Sequence, residues 1–450
     1  MGMKGRVDIE KGEVGESTVE ERKRTLCTEL LEARSPLIVS CCIFKVPEVL
    51  RRQKEKAYEP DIVSIGPFHR GANEKFQIVE NVKKWYLKCL LARQLPNPTG
   101  LSLEDLLESM SLDSLTESME SLAEMIKGEE LDKLARGCYS DPCNHLDQNN
   151  FIDMLILDGC FLIELFRKAF DSSGHDNDDP IFNVPCMLEY LYHDLLLLEN
   201  QLPWFVLEFF YKLIEGGNAN SLDKLVFDFF KNSVAYDKIL RDPNPKSSDN
   251  ILHILDLIRT ALVGIPGLKA AAKTDIHPPH LPQRIPSVTA LSDVGVKFKK
   301  GRPGCILNIT FKNGVFTIPP LAVDERTGTL FSNLTAYELC YRGCVQRIIS
   351  YAVLMNYLID TKKDADLLCE EEIVASFDNI DASKFFEDLT NDTTVTDFIY
   401  EGLCREVCNY LEDPLNKIPW NKWRKELIRY FIAYFAAFVL LVLTFLQTAY

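Results

Sequence analysis

The spacing of apolar positions predicts a mainly α (α+β) protein. Phe76, Val79, Val82, Tyr86 and Leu90 recur at helical intervals over 73–95, and Pro96 and Pro98 end the run. Leu103, Leu107, Met110, Leu115, Met119 and Leu122 repeat against a Ser/Glu face, which predicts a surface helix pair or an insertion over 101–126. Two stretches are apolar on almost every face. One covers 151–170; the other starts at Cys186 and bends near Pro203. Asp153, Asp158 and Glu164 in the first, and Glu189, His193, Asp194 and Glu199 in the second, are too costly in lipid for membrane spans, so both are core helices. Further helices are predicted near 221–232 and 250–263.

After the four prolines of 277–286 the pattern changes. The runs SVTALSDVGVKFKK and CILNITFKNGVFTIPPL read as strands, and Asn313-Gly314 between alternating apolar residues is a strong hairpin signal. Helices resume over 334–359, 371–377 and 398–411. The expected organisation is a flexible tail (1–35), a helical N-lobe (36–276), a Pro-rich connection (277–286), a C-lobe with one small antiparallel sheet and helices (287–412), a basic juxtamembrane segment (413–427) and a transmembrane helix (428–450).

That last expectation rests on Tyr430 to Leu446, 17 residues without a charge. With the residues to Tyr450 the run makes roughly 26 to 32 Å of helix, against about 30 Å of hydrocarbon. Trp420, Trp423, Arg424, Lys425, Arg429 and Tyr430 flank it as an aromatic and basic anchor. The sequence thus predicts a single-pass tail anchor in membrane lipid, plasma membrane or endoplasmic reticulum, with the body on the cytoplasmic side.

A formal charge of −16 excludes a general nucleic-acid binder, because neutralising phosphates needs a basic surface. Fourteen cysteines in 450 residues are too sparse for a disulfide scaffold. Many lie in apolar runs, and the N-terminus has no apolar leader, so a reducing environment is expected.

Catalytic signatures are absent: no phosphate loop, nucleophile elbow, zinc helix or kinase motif occurs. Cys340 with Cys344, and Cys404 with Cys408, stand four apart, and core packing is preferred to metal for both pairs. Glu189 and His193 are one residue too far apart for a di-iron pair. His69, Asp158 and Glu199 remain the candidate catalytic residues, a turn histidine and two carboxylates in apolar surroundings. No cofactor or metal is predicted.

Ordered landmarks run through the chain. They are Ile43-Phe44-Lys45-Val46-Pro47, Tyr58-Glu59-Pro60, Val63-Ser64-Ile65-Gly66-Pro67-Phe68-His69, Leu157-Asp158-Gly159-Cys160-Phe161, Asp194 through Pro203, Gly295-Val296-Lys297-Phe298, and Asn333-Leu334-Thr335-Ala336-Tyr337-Glu338. With the closing Trp420, Trp423 and Tyr430-Phe431 they resemble the plant-specific family called domain of unknown function 247. The resemblance implies a plant source, a mainly helical fold, usually one C-terminal span, and no established catalytic residues. It also implies a part in self/non-self recognition or stress responses. The expected function is an interaction or signalling component with protein partners. The alternative is a membrane-associated enzyme of plant specialised metabolism that uses the buried carboxylates.

Overall fold

The computed structural model describes residues 41–71, 73–94, 103–141, 143–170, 179–215, 221–231, 233, 251–263, 283–303, 305–377, 380–413, 430, 431 and 434. They belong to one compact unit, Cys41–Tyr450. The predicted tail 1–35 and most of the Pro-rich connection lie outside them.

Pro47, which has no N–H to lose, opens the single turn α1 (Glu48–Arg51). α2 (Gln77–Gln94) buries Val79, Val82, Tyr86 and Leu90, the predicted stripe. The Ser/Glu stretch divides into α3 (Leu103–Ser109) and α4 (Leu112–Gly128) because the Ser111 hydroxyl accepts the Ser114 N–H at 3.1 Å and starts a new helix. α5 (Leu131–Arg136) leads to α6 (Gln148–Phe170), whose residues from Met154 to Phe166 are all buried. α7 (Pro185–Asp194), α8 (Trp204–Glu215), α9 (Leu222–Lys231) and α10 (Ile254–Val263) follow.

A helix apolar on all sides must be wrapped. α2, α8 and α9 pack around α6. Phe166 meets Phe229 of α9 edge-on at 5.2 Å between ring centroids. Gly159 admits the ring of Phe210 from α8; a Cβ there would lie 2.4 Å from that ring.

The stretch 186–210 is broken rather than bent. α7 ends at Asp194, and residues 195–203 form a buried loop between α7 and α8. Side chains tie its remaining backbone groups and anchor it to its neighbours. Asn200 Oδ1 accepts Ile65 N–H at 2.6 Å, its Nδ2 donates to the Val63 and Asp194 carbonyls, and Gln201 donates to the carbonyls of Leu195 and Leu197. Asn333 accepts Leu198 N–H at 2.9 Å and donates to the carbonyls of Ala57 and Thr329. Buried backbone groups need such partners, and here polar landmark residues supply them.

Gly66 faces this loop in the left-handed region at φ 75°; a Cβ would lie 2.7 Å from the Gln201 carbonyl oxygen. Gly66→Ala should therefore destabilise the protein by about 2 kcal/mol, combining backbone strain with the clash. A lowered urea midpoint at unchanged slope would show it.

The later elements are α11 (Val288–Asp293), β1 (Lys297–Lys300), β2 (Thr310–Lys312), β3 (Val315–Ile318), β4 (Leu321–Val323), α12 (Glu325–Cys340), α13 (Arg347–Leu358), α14 (Lys362–Glu370), β5 (Val374–Ser376), α15 (Ala382–Thr390) and α16 (Glu401–Glu412). The predicted hairpin is present: β2 and β3 pair antiparallel across Asn313-Gly314, both at positive φ. The expected single antiparallel sheet needs correction. β1 runs parallel to β3 in the order β1-β3-β2, and β4 and β5 form a second, parallel pair. Residues 288–293 are helical, and 374–376 are a strand where a helix was expected. The helix expected over 334–359 is two helices, because α12 ends at Cys340 and α13 begins at Arg347. Glu338 accepts the N–H groups of Ile348 and Ile349 at the start of α13 and pairs with Arg259 of α10 at 2.7 Å. Asp364 caps α14 and accepts Thr289 N–H of α11. Burial would raise its carboxyl, but these bonds from Thr289 and Thr361 hold it down to about 2.

The transmembrane helix expected at the C-terminus is not supported. No helix among the described residues is long and apolar enough to cross a membrane. The 23-residue α6 carries Asp153, Asp158, Glu164, Arg167 and Lys168, which hydrocarbon would not accept. Of 428–450 only Tyr430, Phe431 and Tyr434 are described, all exposed. Trp420, Trp423, Arg424, Lys425 and Arg429 lie outside the described residues.

Candidate functional site

The three candidate catalytic residues divide into two buried clusters. His69, on the turn after Gly66, places Nε2 3.3 Å from Glu199 Oε2. Glu199 Oε1 also accepts Val46 N–H at 2.6 Å and the Arg51 guanidinium at 2.5 Å. Burial alone would raise the Glu199 carboxyl; His69, Val46 and Arg51 outweigh it and hold the group below the ordinary range. Asp158 sits apart on α6. Its Oδ1 is 2.7 Å from Lys83 Nζ, and its Oδ2 accepts Gly66 N–H at 2.9 Å. Lys83, fully buried, spends its three protons on Asp158, Glu80 and the Ser64 carbonyl. Burial pushes the Asp158 carboxyl up against the pull of Lys83 and Arg70. None of the three lines the cleft described next. Their bonds fasten residues 46–70 onto α2, α6 and the buried loop.

Open chemistry gathers elsewhere. A cleft of about 810 Å³ lies between the turn Glu55–Tyr58, α7 and the first turns of α12 and α15. Both helix starts are capped by acids: Asp324 accepts Thr327 N–H at 2.7 Å and Asp381 accepts Ser383 N–H at 2.9 Å. Two ion pairs cross the walls, Lys54 with Asp388 at 3.5 Å and Arg326 with Glu189. Burial lowers the Lys54 ammonium, with Asp388 opposing. Tyr190 of α7 is 45% exposed, an aromatic face left open at the cleft.

His193 of α7 also lines the cleft. Its Nδ1 is 2.9 Å from Asp194 Oδ1, and Asp61 Oδ2 is 3.7 Å away. Asp194 is already the acceptor for the N–H groups of Asp61, Ile62 and Val63 at 2.7, 2.8 and 2.9 Å. A carboxylate so engaged only accepts, so His193 Nδ1 carries a proton and donates it to Asp194. Asp61, His193 and Asp194 could bring ligand atoms within 4.8 Å of one another. Three amides and His193 already occupy the lone pairs of Asp194, so the arrangement serves as a hydrogen-bonded post for residues 61–63.

The sequence pointed to Glu189, His193 and Asp194 as part of an acid-rich set, but not to Tyr190, Lys54 or Arg326. The only signal for the opposite wall was an acid before each helix, Asp324 and Asp381. Of the cysteine pairs, Cys344 lies beyond the end of α12, and Cys404 is buried in α16.

Comparisons with known proteins agree on kinship. The chain is 28% identical over 377 residues to the UPF0481 protein At3g47200 of Arabidopsis thaliana, covering 78% of this chain and 73% of that one. It is 24% identical over 435 residues to the putative UPF0481 protein At3g02645 of the same plant, covering 75% of each. No solved structure matches the chain. The family model DUF247, described as plant protein of unknown function, matches residues 43–447, and the chain belongs to that family.

Proposed function

We propose that this protein acts by recognition, holding a segment of a partner protein in the cleft between the turn Glu55–Tyr58, α7, α12 and α15. The observation that carries this reading is a contrast in how polar groups are used. His69, Asp158 and Glu199 are engaged by internal partners, away from the cleft. In the cleft, Tyr190, Glu55 and Glu325 stand exposed on rigid helical supports. An exposed aromatic ringed by polar groups is the usual anchor of a protein interface. The cleft also falls within the size range of sites that enclose a ligand.

The test is site-specific photocrosslinking. With p-benzoylphenylalanine in place of Tyr190, irradiation in plant extract should yield an adduct of defined mass. The same probe at Ile78, exposed on α2, should yield none. Equal labelling at both positions, or none at 190, would refute the proposal.

A further inference from the structure

We infer that the segment held in the cleft is cationic, and that an Arg or Lys side chain on it stacks over Tyr190 between Asp61, Glu55 and Glu325. This rests on the recognition reading and adds the chemistry of the partner. Seven carboxylates and four cationic side chains line the cleft. Two of the cations are spent on its own acids, Lys54 on Asp388 and Arg326 on Glu189. Asp324 and Asp381 serve the helix starts. Glu55 and Glu325 have no cationic partner among the described residues, and Asp61 has only His193 at 3.7 Å.

These features select the same ligand group. A guanidinium or ammonium over an aromatic face is favourable, the more so when desolvated between carboxylates. An anionic segment would meet the carboxylate excess. Lys56 and Lys384, both exposed at the rim, allow the segment an acid outside the aromatic position.

Binding of two labelled octapeptides to the full chain tests the inference by fluorescence anisotropy at about 0.15 M salt, where diffuse attraction is screened. One alternates Arg with Gly, the other Glu with Gly. The arginine peptide should bind, and Tyr190→Ala or the pair Asp61→Asn with Glu325→Gln should each weaken it roughly tenfold. Glu117→Gln with Glu120→Gln, which removes as much exposed charge from α4, should leave it unchanged. Equal weakening by the α4 pair would reduce the effect to overall charge and overturn the inference. So would failure of the arginine peptide to bind. Binding of the glutamate peptide that is lost on Tyr190→Ala would overturn the cationic assignment while leaving the cleft as the docking site. A crosslinked adduct at position 190 without arginine-peptide binding would do the same. Far-UV circular dichroism of each variant excludes misfolding as the cause.

Discussion

Asp158→Ala should lower the stability of the protein by about 3–5 kcal/mol, the cost of leaving a buried charge without its partner. Lys83 would keep Glu80 and one carbonyl but lose the carboxylate at 2.7 Å, and Gly66 N–H would lose its acceptor. Both Lys83 and Asp158 side chains are wholly excluded from solvent, so water could not replace the missing contact. Replacing both, Lys83→Met with Asp158→Leu, should recover part of the loss, because the buried charge is removed while Gly66 N–H and the Ser64 carbonyl stay without their partners. Urea unfolding of the two singles and the double measures the coupling. A single-variant loss below about 1 kcal/mol would place this pair in the range of solvated surface pairs and contradict its burial.

The second large effect is a pH dependence set by His253. The ring is fully buried, with Nε2 3.2 Å from the Cys42 carbonyl oxygen, Nδ1 accepting Asp256 N–H at 3.2 Å, and Tyr337 edge-on at 4.9 Å. That bonding uses the neutral ring. Burial drives its pKa from 6.5 down to about 4, with Asp256 and the Cys42 carbonyl opposing. The unfolded chain takes up the proton near pH 6.5 and the folded chain only near 4. Stability is therefore complete above 6.5 and falls as pH drops between these values, by about 1.4 kcal/mol per unit and ~3 kcal/mol in all. Glu199 and Asp364, held low in the fold, contribute losses only at lower pH, as each is protonated below the ordinary carboxylate range. His253→Phe should flatten the slope between pH 6.5 and 4.5 relative to the parent. Equal slopes would mean that the ring protonates in the native state as freely as in the unfolded one.

Local periodicity made most of the N-terminal helices legible. α2, α6 and α9 appear within a few residues of where their apolar spacing put them, and Asn313-Gly314 marked its hairpin. What local pattern could not carry was long-range pairing. β4 meets β5 across 53 residues, Leu321 beside Val374, and two three-residue strands leave no alternation long enough to read. β1 and β3 pair in parallel although the hairpin suggested only antiparallel neighbours. The break after Asp194 opens on the four leucines 195–198, and the break after Cys340 on Tyr341-Arg342-Gly343. Both breaks are held open by side-chain bonds from Asn200, Gln201 and Glu338 whose partners lie far away in sequence.

The same distinction explains the candidate residues. Asp158 and Glu199 stood out as acids in apolar surroundings, and in the fold both fasten distant segments. The landmarks share this character: Asp158, Asp194, Asn200, Gln201 and Asn333 each bind backbone of a distant segment. The cleft was harder to foresee, because its walls come from four separated stretches and its exposed groups are of common types.

Asn333 carries one consequence for biosynthesis. Asn333-Leu334-Thr335 has the form to which oligosaccharide is transferred. Both protons of its amide nitrogen are given to carbonyls, and the side chain is fully buried on α12. A sugar on that nitrogen would displace both bonds and could not fit in the interior. The native fold is reached only by chains whose Asn333 stays unglycosylated, and a chain decorated there during synthesis would be held short of it.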